Sequence, residues 1–564
     1  MGRSGLRFAV VGMGIAELFL WGASALQAGY IDVVLADGPR GYWRLGDPAA
    51  ASTALNSAVT GAVLNGTYTP SKTNAGGLLM GDSDTAAAFN GTSSYISGSG
   101  ISTAGSSGGN VFAADWSIEA WLVRQGVGDW QGVFSNNRGG TGAPLLTFFG
   151  YGSPAYHRLG INAAGISANG ISVDLDQYGG GGGAYLGKPM YAVVTKVGGN
   201  SAGSNTILVK VNVNGQWLPS VTGSTSWNLT PQDGFYIGRH YDGGTQIMNG
   251  VLDEVAIYDA ALSPRKIMAH YAAGALSWYP AEVVSSGPVA YWRLDEPAGA
   301  TKALNSGWGG IALDGTYSPA KTTTAPLVPR SPWNAGAADF DGSNAHIAGS
   351  GLNTASTTGG NPFAGNWTIE TWFIRDTANA DWQAIFSNNA DSAEGGGAPV
   401  LTFFDSSSGR SRSWLGMNPA GVAPTPDIYV DLNQYAGGNN AYLGKLVYAV
   451  LTKSGSQLNM YVNVDGQWLP SASATLARTL DTNNDKWFIG RHYWGGIYFD
   501  GKIDDVAIYD RALAWEEVLA HYTQATVPEP AGAALVVIGL GMLGMWKLLG
   551  GSTKANSPEK QKVI

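Results

Sequence analysis

Residues 206–219 are Thr-Ile-Leu-Val-Lys-Val-Asn-Val-Asn-Gly-Gln-Trp-Leu-Pro. The first eight residues alternate with a period of two, which is typical of a β-strand. Asn214-Gly215 then supplies the pair that a type I′ hairpin turn favours, because both central residues of that turn take a positive φ. The stretch therefore predicts an antiparallel hairpin.

The same stretch occurs a second time in the chain. Residues 212–219 match residues 463–470, where Asp465-Gly466 stands at the turn. Three further pairs recur in the same order: Tyr42–Leu45 and Tyr291–Leu294, Ala54–Ser57 and Ala303–Ser306, and Ile237–Tyr241 and Ile489–Tyr493. The copies lie about 250 residues apart, a period too long for a solenoid, so each copy is expected to be a complete domain. We predict domains at residues 30–277 and 279–525.

Short segments with strand character dominate each copy. In the first copy they include residues 117–123, 191–195 and 252–258. One helix start stands out, with Ser263 as the cap and Pro264 at the first helical position. The 82 glycines of the chain suit the turns between strands. These features predict an all-β fold in which each domain is a β-sandwich.

Composition excludes several classes of function. With 32 Lys and Arg against 41 Asp and Glu, the net charge is −9 and no basic tract occurs, so we expect no nucleic-acid partner. The absence of cysteine removes disulfides, thiolate metal sites and cysteine nucleophiles. A content of 44% hydrophobic residues makes a disordered chain a poor fit.

Residues 1–28 have the layout of a secretory signal peptide. Arg3 and Arg7 precede a mostly apolar run from Phe8 to Leu20, and small residues follow between Ala23 and Ala28. The alternative is a single membrane anchor. Either interpretation places the bulk of the chain outside the cytoplasm.

The C-terminus carries a second apolar run, from Ala531 to Trp546, which is long enough to predict a short transmembrane helix. Pro528, Glu529 and Pro530 stand directly before it and Lys547 directly after it. Residues 527–549 therefore resemble the PEP-CTERM sorting signal, and residues 550–564 form a polar tail. The resemblance implies an exosortase-like processing enzyme as a partner. It also implies export to the cell surface, outer envelope or extracellular matrix of a bacterium, with at least transient anchoring in the membrane.

This C-terminal segment departs from the family in one respect. Family members usually end soon after the helix in an arginine-rich cluster, whereas here a polar tail follows a single lysine. A plain membrane tether without cleavage is therefore the alternative.

Four stretches of each copy, taken in order, resemble the laminin G-like jelly-roll family of the concanavalin A-like lectin/glucanase superfamily. They are residues 88–91, 116–121, 211–217 and 250–258 in the first copy, and residues 340–342, 367–372, 461–468 and 501–509 in the second. The resemblance implies two tandem antiparallel jelly-roll β-sandwiches. It also implies binding of glycans or proteins, often beside a calcium ion.

A calcium ion in each domain is one interpretation of an acidic residue on the last long strand. With strict alternation Asp253 would share the core face with Val255 and Ile257, where a carboxylate needs a cation or several N–H donors. The resemblance implies that calcium lies near this strand and the Phe-Asp-Gly turn. The predicted ligands are Asn90 and Asp253 in the first copy, and Asp341 and Asp504 in the second. The alternative is that Asp253 caps a turn without a metal.

A second candidate site combines aromatic and polar residues that recur between the copies. An indole face beside amide and carboxylate groups can stack on a sugar ring and bond its hydroxyls. The predicted carbohydrate-binding residues are Asp129, Trp130, Asn136, Asn137, Arg239, His240 and Tyr241 in the first copy, and Asp381, Trp382, Asn388, Asn389, Arg491, His492 and Tyr493 in the second. The alternative is that these residues only pack and close turns.

Catalysis is not expected. Retaining glucanases need two carboxylates about 5–5.5 Å apart, and the alternating acidic pattern that supplies them does not occur. Glu119 and Glu370 each stand alone on their strands. We therefore expect a non-catalytic protein that binds extracellular polysaccharide or another glycan. A structural or adhesive protein that contacts other surface proteins is the alternative, and a glycoside hydrolase is the weaker third choice.

Overall fold

The computed structural model describes residues 29–526, except for residues 129, 137–141, 150–156, 162–169, 242–245, 277, 329–335, 389–398, 405–410, 418–427, 477–479, 481–484 and 494. Gln27–Ala525 form one compact unit that contains both repeats. The predicted signal peptide and the segment 527–564 lie outside the described residues. Within the described part, no helix is long and apolar enough to cross a membrane.

The first repeat consists mainly of short strands. They are β1 (Gly41–Trp43), β2 (Thr53–Ala54), β3 (Gly66–Thr69), β4 (Asn74–Gly76), β5 (Thr85–Asn90), β6 (Tyr95–Gly98), β7 (Trp116–Arg124), β8 (Gly132–Ser135), β9 (Leu145–Phe149), β10 (Arg158–Ile161), β11 (Ile171–Asp174), β12 (Pro189–Gly198), β13 (Asn205–Val213), β14 (Gln216–Trp217), β15 (Val221–Gly223), β16 (Phe235–Ile237) and β17 (Asn249–Tyr258).

The second repeat has a closely similar series. Its strands are β18 (Ala290–Trp292), β19 (Lys302–Ala303), β20 (Gly315–Ser318), β21 (Ala338–Asp341), β22 (His346–Gly349), β23 (Trp367–Arg375), β24 (Ala384–Ser387), β25 (Val400–Phe403), β26 (Trp414–Met417), β27 (Ile428–Asp431), β28 (Leu446–Ser454), β29 (Gln457–Val464), β30 (Gln467–Trp468), β31 (Ala472–Thr475), β32 (Trp487–Ile489) and β33 (Asp500–Tyr509).

Helices are few and short. They are α1 (Tyr30–Ala36), α2 (Pro264–Ala275), α3 (Trp278–Ser285) and α4 (Trp515–Thr526), with 3₁₀ helices at Gly61–Leu64, Leu175–Gln177, Gly310–Leu313, Leu352–Thr354 and Leu432–Gly437. Helix α2 begins as predicted, because the Ser263 side chain accepts a hydrogen bond from the Lys266 N–H. The sequence did not reveal α1, which has no side-chain cap, or α4, which begins at Trp515.

Two antiparallel sheets form each repeat. In the first repeat the described strands order as β14-β13-β12-β7-β17-β5-β4, with β1 on β17 and β15 on β13, and as β11-β10-β9-β8-β16-β6-β3-β2. In the second they order as β18-β33-β23-β28-β29-β30, with β21 on β33 and β31 on β29, and as β19-β20-β22-β32-β24-β25-β26-β27. The all-β prediction is confirmed.

The core of each sandwich lies between its two sheets. Ile118 and Leu122 of β7 meet Phe134 of β8 and Phe235 of β16 in the first repeat. The helices pack on the outer face of the sheet that contains β7 or β23, which we call the helix-covered sheet. Because both faces of this sheet are buried, its strands do not show the alternation of buried and exposed residues that a one-sided sheet has.

A β-bulge corrects the predicted orientation of Asp253. The register of β17 against β7 shifts between Asp253 and Ala256, and Glu254 takes a φ of 51°. The extra residue reverses the side-chain alternation. Val255 and Ile257 consequently lie in the sandwich core, whereas Asp253 pairs with Trp121, which packs in the cluster on the helix side. The second repeat has the same shift, with Asp505 at a φ of 50°.

A buried charged group lies beneath the helices of the first repeat. The Glu119 carboxylate accepts hydrogen bonds from the hydroxyls of Tyr191 and Tyr258, and it lies 3.0 Å from His270 Nδ1. His270 Nε2 in turn lies 3.0 Å from Asp37. Glu119 and His270 are both fully buried. This group ties β7, β12 and β17 to helix α2 and to the end of α1.

The second repeat reproduces this group, with an added hydrogen bond from the Tyr279 hydroxyl to Glu370 at 3.2 Å and a different second partner for the histidine. Glu370 accepts hydrogen bonds from Tyr448 and Tyr509 and lies 3.0 Å from His521 Nδ1. His521 Nε2, however, lies 2.9 Å from the hydroxyl of Ser286, where the first repeat has a carboxylate. His521 therefore has one carboxylate partner here, and His270 has two.

Candidate functional site

Two tryptophans occupy equivalent places beside β8 and β24. Trp130 and Trp382 are both partly exposed, and both have left-handed backbones, with φ of 52° and 58°. Such a conformation costs free energy for a bulky residue, so its retention in both repeats indicates a requirement for the position of the ring. The Trp130 ring lies 5.6 Å from the His240 ring, and the Trp382 ring lies 5.9 Å from the His492 ring.

The neighbouring histidines extend each tryptophan into an aromatic group. The rings of His240 and Tyr241 are 4.3 Å apart, as are those of His492 and Tyr493. Burial lowers the pKa of His240 to about 4 and that of His492 to about 3. Both imidazoles are therefore neutral at physiological pH. The structure thus brings Trp130, His240 and Tyr241 of the predicted carbohydrate site together.

A buried arginine supports each tryptophan loop. Arg124 donates from Nε to Gln131, the residue after Trp130, at 2.8 Å, and its guanidinium lies 4.1 Å from the centre of the Phe148 ring. Arg375 and Gln383 repeat the bond at 2.7 Å. The loop that carries each indole is thus attached to the sandwich core, which fixes the ring without help from a ligand.

Several predicted sugar-binding residues instead close turns. The Asn136 amide donates to the carbonyls of Gln232 and Gly234 and accepts from the Gln232 N–H. Asn388 bonds the Lys486 carbonyl. The guanidinium of Arg239 lies over the Tyr95 and Tyr236 rings, and that of Arg491 lies over Phe488. The prediction of sugar contacts at Asn136, Asn388, Arg239 and Arg491 is therefore not supported by their surroundings.

Four predicted residues remain, and the structure describes only one of them, Asp381. Asp381 forms an ion pair with Arg412 at 2.5 Å, and both side chains are partly exposed. Asp129, Asn137 and Asn389 lie outside the described residues.

The second repeat has an aromatic run that sequence analysis missed. The Trp382 ring lies 5.7 Å from Phe404, which lies 6.4 Å from Tyr429, and Tyr429 stacks on Trp414 at 3.9 Å. Trp414 and Tyr429 are partly exposed. Comparing aligned residues of the repeats could have revealed the run, because Arg158 and Ser172 stand in the first repeat where Trp414 and Tyr429 stand in the second.

The predicted calcium ligands do not come together, which corrects that prediction. Asn90 lies opposite Asn249 on β17, four residues before Asp253, so the two are about 13 Å apart along the strand. Asp341 and Asp504 have the same separation, because Asp341 lies opposite Asp500. Asn90 instead accepts hydrogen bonds from the N–H groups of Thr92, Ser93 and Ser94, and so closes its own turn.

Asp253 and Asp504 are each tied to a loop. The Leu78 N–H donates to Asp253, and the Leu327 N–H donates to Asp504, both at 2.9 Å. Burial raises the pKa of Asp253 to about 7. The alternative interpretation from sequence, in which Asp253 holds a nearby turn without a metal, agrees with these contacts.

A different acidic group lies in the first repeat. One carboxylate oxygen each of Asp82, Asp84 and Glu254 lies within 4.8 Å of the others. Arg44 already contacts all three, at 2.5 Å to Asp82, 3.0 Å to Asp84 and 3.2 Å to Glu254. The group borders an open cleft of about 510 Å³. These oxygens suit calcium, but the guanidinium supplies the counter-charge that a cation would supply.

The carboxylate that pairs with this arginine comes from a different position of the chain in each repeat. In the second repeat Arg293 pairs with Asp295 at 2.9 Å. The first repeat has Gly46 at the position of Asp295, and a Cβ on Gly46 would collide with the Asp84 carboxylate. Asp84 thus occupies the space left by the missing side chain. This exchange indicates that the arginine–carboxylate pair, rather than a metal, is the element common to both repeats.

The solved structures that match the chain include a sialidase, a domain of an arabinanase and two domains of a laminin chain. Trypanosoma rangeli sialidase, in complex with 2,3-difluoro-KDN, matches at 12% identity, with 60% of this chain and 52% of that chain covered and a TM-score of 0.32. Domain 4 of the GH43 extracellular arabinanase from Geobacillus stearothermophilus, in complex with arabinotriose, matches at 16% identity, with 41% and 96% covered and a TM-score of 0.26. Domains LG4-5 of the mouse laminin α1 chain match at 11% identity, with 72% and 86% covered and a TM-score of 0.19.

The chain spans about half the length of the sialidase structure, and no curated protein matches it. The Laminin_G_3 family model matches both repeats, at residues 90–268 and 341–519, which together make up more than half of the chain. The chain belongs to this family of the concanavalin A-like lectin/glucanases superfamily.

Proposed function

We propose that the protein is an exported, non-catalytic carbohydrate-binding protein of the cell surface or extracellular matrix. The observation that carries the proposal is the partly exposed tryptophan that both repeats hold in a left-handed backbone beside a buried, neutral histidine. An uncharged aromatic group of this kind suits the apolar face of a sugar ring, and it requires no ionic partner in the ligand.

The second repeat offers the more extended surface for a polysaccharide. Trp382, Trp414 and Tyr429 are partly exposed and are connected through the buried ring of Phe404, so more than one sugar unit could contact the exposed rings. Two binding repeats in one chain also raise the affinity for a repeating polymer, because the second contact forms at a high effective concentration. We expect long polysaccharides to bind more tightly than the corresponding oligosaccharides.

Substitution of the aromatic residues tests this function. On a glycan array the full-length protein should bind a subset of the neutral polysaccharides. Trp382→Ala should weaken that binding at least about tenfold, the loss expected for a buried aromatic contact. Trp414→Ala should weaken it less, because its ring lies at the end of the run. Tyr435→Ala, which alters a partly exposed aromatic residue outside the run, is the matched control. Equal binding by wild type and Trp382→Ala would contradict the proposed site.

We expect no calcium requirement, because Arg44 and Arg293 each pair with nearby carboxylates. We expect the melting temperature of the wild type to be the same in calcium and in chelator. Arg44→Gln frees Asp82 and Asp84, so calcium should raise the melting temperature of this variant, by about 2–4 °C for each kcal/mol of binding free energy. Arg293→Gln is the control and should show no such rise. A chelator-sensitive wild type would show that a metal site has been overlooked.

The buried carboxylates favour binding over hydrolysis. Glu119 and Glu370 are covered by tyrosines and a histidine, and neither carboxylate is exposed. Glu254 is fully buried and accepts hydrogen bonds from Tyr42 and Arg44, so its carboxylate is not accessible to a substrate in the cleft. A measurement of reducing ends released from every polysaccharide that binds should give no signal above the buffer.

Export and anchoring rest on the two terminal segments. The signal-like residues 1–28 and the Pro528-Glu529-Pro530 motif before an apolar run support secretion and retention at a bacterial surface. Cleavage near the motif by an exosortase-like enzyme is the proposed processing step. Mass determination of the protein recovered from the surface distinguishes the processed form from an intact membrane tether.

A further inference from the structure

The two repeats meet at a junction that joins a segment of the second repeat to a face of the first. Lys210 of β13 is buried and donates to the Trp308 carbonyl at 2.6 Å, and its ammonium lies 4.7 Å from the centre of the Trp308 ring. Gly310 approaches the backbone of Trp217 so closely that a Cβ on it would lie 2.1 Å from the Trp217 carbonyl oxygen. Ile311 packs against the core of the first repeat.

The first repeat has the equivalent segment, and there it is exposed. Residues 55–63 correspond to residues 304–312, with Val59 in the place of Trp308 and Gly61 in the place of Gly310. Leu55, Val59 and Val63 are 56%, 80% and 61% exposed, the highest values among the large hydrophobic residues that the structure describes. Trp308, by contrast, is 5% exposed. We call residues 55–63 the apolar segment.

The backbone conformation of the apolar segment also matches that of the junction segment. Gly61 and Gly310 have nearly equal φ angles, 54° and 60°. A Cβ on Gly310 would meet the first repeat, whereas a Cβ on Gly61 would meet no atom within 4 Å. The two 3₁₀ helices that follow, Gly61–Leu64 and Gly310–Leu313, are also equivalent. The apolar segment therefore has the shape of the junction segment, with its contact side open.

The second repeat has the equivalent of the face that receives the segment. Tyr461 and Trp468 stand in the places of Lys210 and Trp217, and the ring of Trp515 lies 5.1 Å and 5.0 Å from theirs. Trp217 is fully buried at the junction, whereas Trp468 is partly exposed and Trp515 is 37% exposed. We call Tyr461, Trp468 and Trp515 the aromatic face.

We propose that the apolar segment of one copy docks on the aromatic face of a second copy, so that the protein associates head to tail. In each pair the residue types suit one another. The internal junction places an indole against a lysine, and the proposed contact places a valine against uncharged aromatic rings. A surface of this composition is typical of a protein contact. Because the two surfaces differ, the contact is heterologous, and it forms a ring if the rotation closes or a filament if it does not.

Sedimentation velocity of the full-length protein over a range of concentrations tests the association. We expect wild type to form species larger than the monomer as concentration rises, and Val59→Glu to weaken this association at least about tenfold, because the glutamate must be desolvated on docking. Val59 is 80% exposed, so the substitution should not affect folding. Val197→Glu, on another exposed part of the first repeat, is the control. A wild type that stays monomeric, or a Val59→Glu variant that associates like wild type, overturns the proposal.

The absence of cysteine permits a second test that reports the geometry. A chain with both Val59→Cys and Trp515→Cys should give disulfide-linked oligomers on mild oxidation, either an open ladder or a closed ring. Neither single variant should form more than a trace of dimer. Efficient dimer formation by Val59→Cys alone would show that two apolar segments pair with each other, which contradicts head-to-tail docking. A double variant that gives only monomer contradicts it as well.

Discussion

Glu119→Ala should lower the free energy of unfolding of the first sandwich by about 3–5 kcal/mol, the cost of breaking a buried ion pair by removing one partner. The substitution leaves the fully buried His270 without one of its two carboxylates. It also leaves the hydroxyls of Tyr191 and Tyr258 without their acceptor. Glu119→Gln should cost less, because an amide oxygen can still accept from one tyrosine.

Hydrogen exchange with mass spectrometry is the measurement that localises the effect. Protection should fall in β7, β12 and β17, which the Glu119 group joins, and much less in β23 and β28 of the second repeat, which serve as an internal reference. Glu516→Ala, which removes an exposed carboxylate, should change the free energy of unfolding by less than about 0.5 kcal/mol. A Glu119→Ala protein as stable as wild type would show that the buried pair contributes nothing.

Features set by neighbouring residues could be predicted from the sequence. Asn214 and Gly215 have φ angles of 49° and 90°, and β13 and β14 pair across them, as the turn sequence indicates. The Ser263 cap is likewise a contact across three residues. Repetition of such local signals, in order, was sufficient for the all-β class and the tandem family.

The bulge in β17 could not be predicted in this way. It depends on one glutamate with a positive φ, a conformation that no residue type at this position announces. Strict alternation of side chains along β17 therefore predicts the wrong face of the sheet for Asp253. The calcium prediction depends on the same alternation, because it requires a carboxylate that faces the sandwich core near the turn at Asn90.

Contacts between distant residues account for the remaining differences. Glu119 appeared isolated on its strand, and its partner His270 is 151 residues away. Arg44 meets Glu254 across 210 residues, and its other partners come from a loop whose sequence differs in the second repeat. Trp130 and His240, which the structure brings together, both recur beside recurring strands. Asn136 recurs equally well, so recurrence alone does not separate a binding residue from a turn residue.

The free energy of unfolding should depend strongly on pH, because His270 should be charged in the folded protein at neutral pH and should lose that charge at higher pH. Burial opposes the charge, but the Glu119 carboxylate and the hydrogen bond to Asp37 outweigh it and raise the pKa of His270 to about 9. A folded-state pKa above the unfolded value of about 6.5 gives stability that is fully present below pH 6.5 and is lost as pH rises through 9. At about 1.4 kcal/mol per pKa unit, this amounts to about 3 kcal/mol.

Other groups titrate in the same range, so the quantity to measure is a difference. The gap in free energy of unfolding between wild type and His270→Gln should be largest at pH 6 and should shrink by about 3 kcal/mol on going above pH 9. Asp37→Ser gives the first repeat the hydroxyl that the second has at Ser286, so it should lower the pKa of His270 and move the decline to lower pH. The ammonium of Lys266, 2.8 Å from Asp37, works in the same direction once that carboxylate is removed. A gap that stays constant between pH 6 and pH 10 would mean that His270 is neutral in the folded protein, and the contact with Glu119 would then be a neutral hydrogen bond.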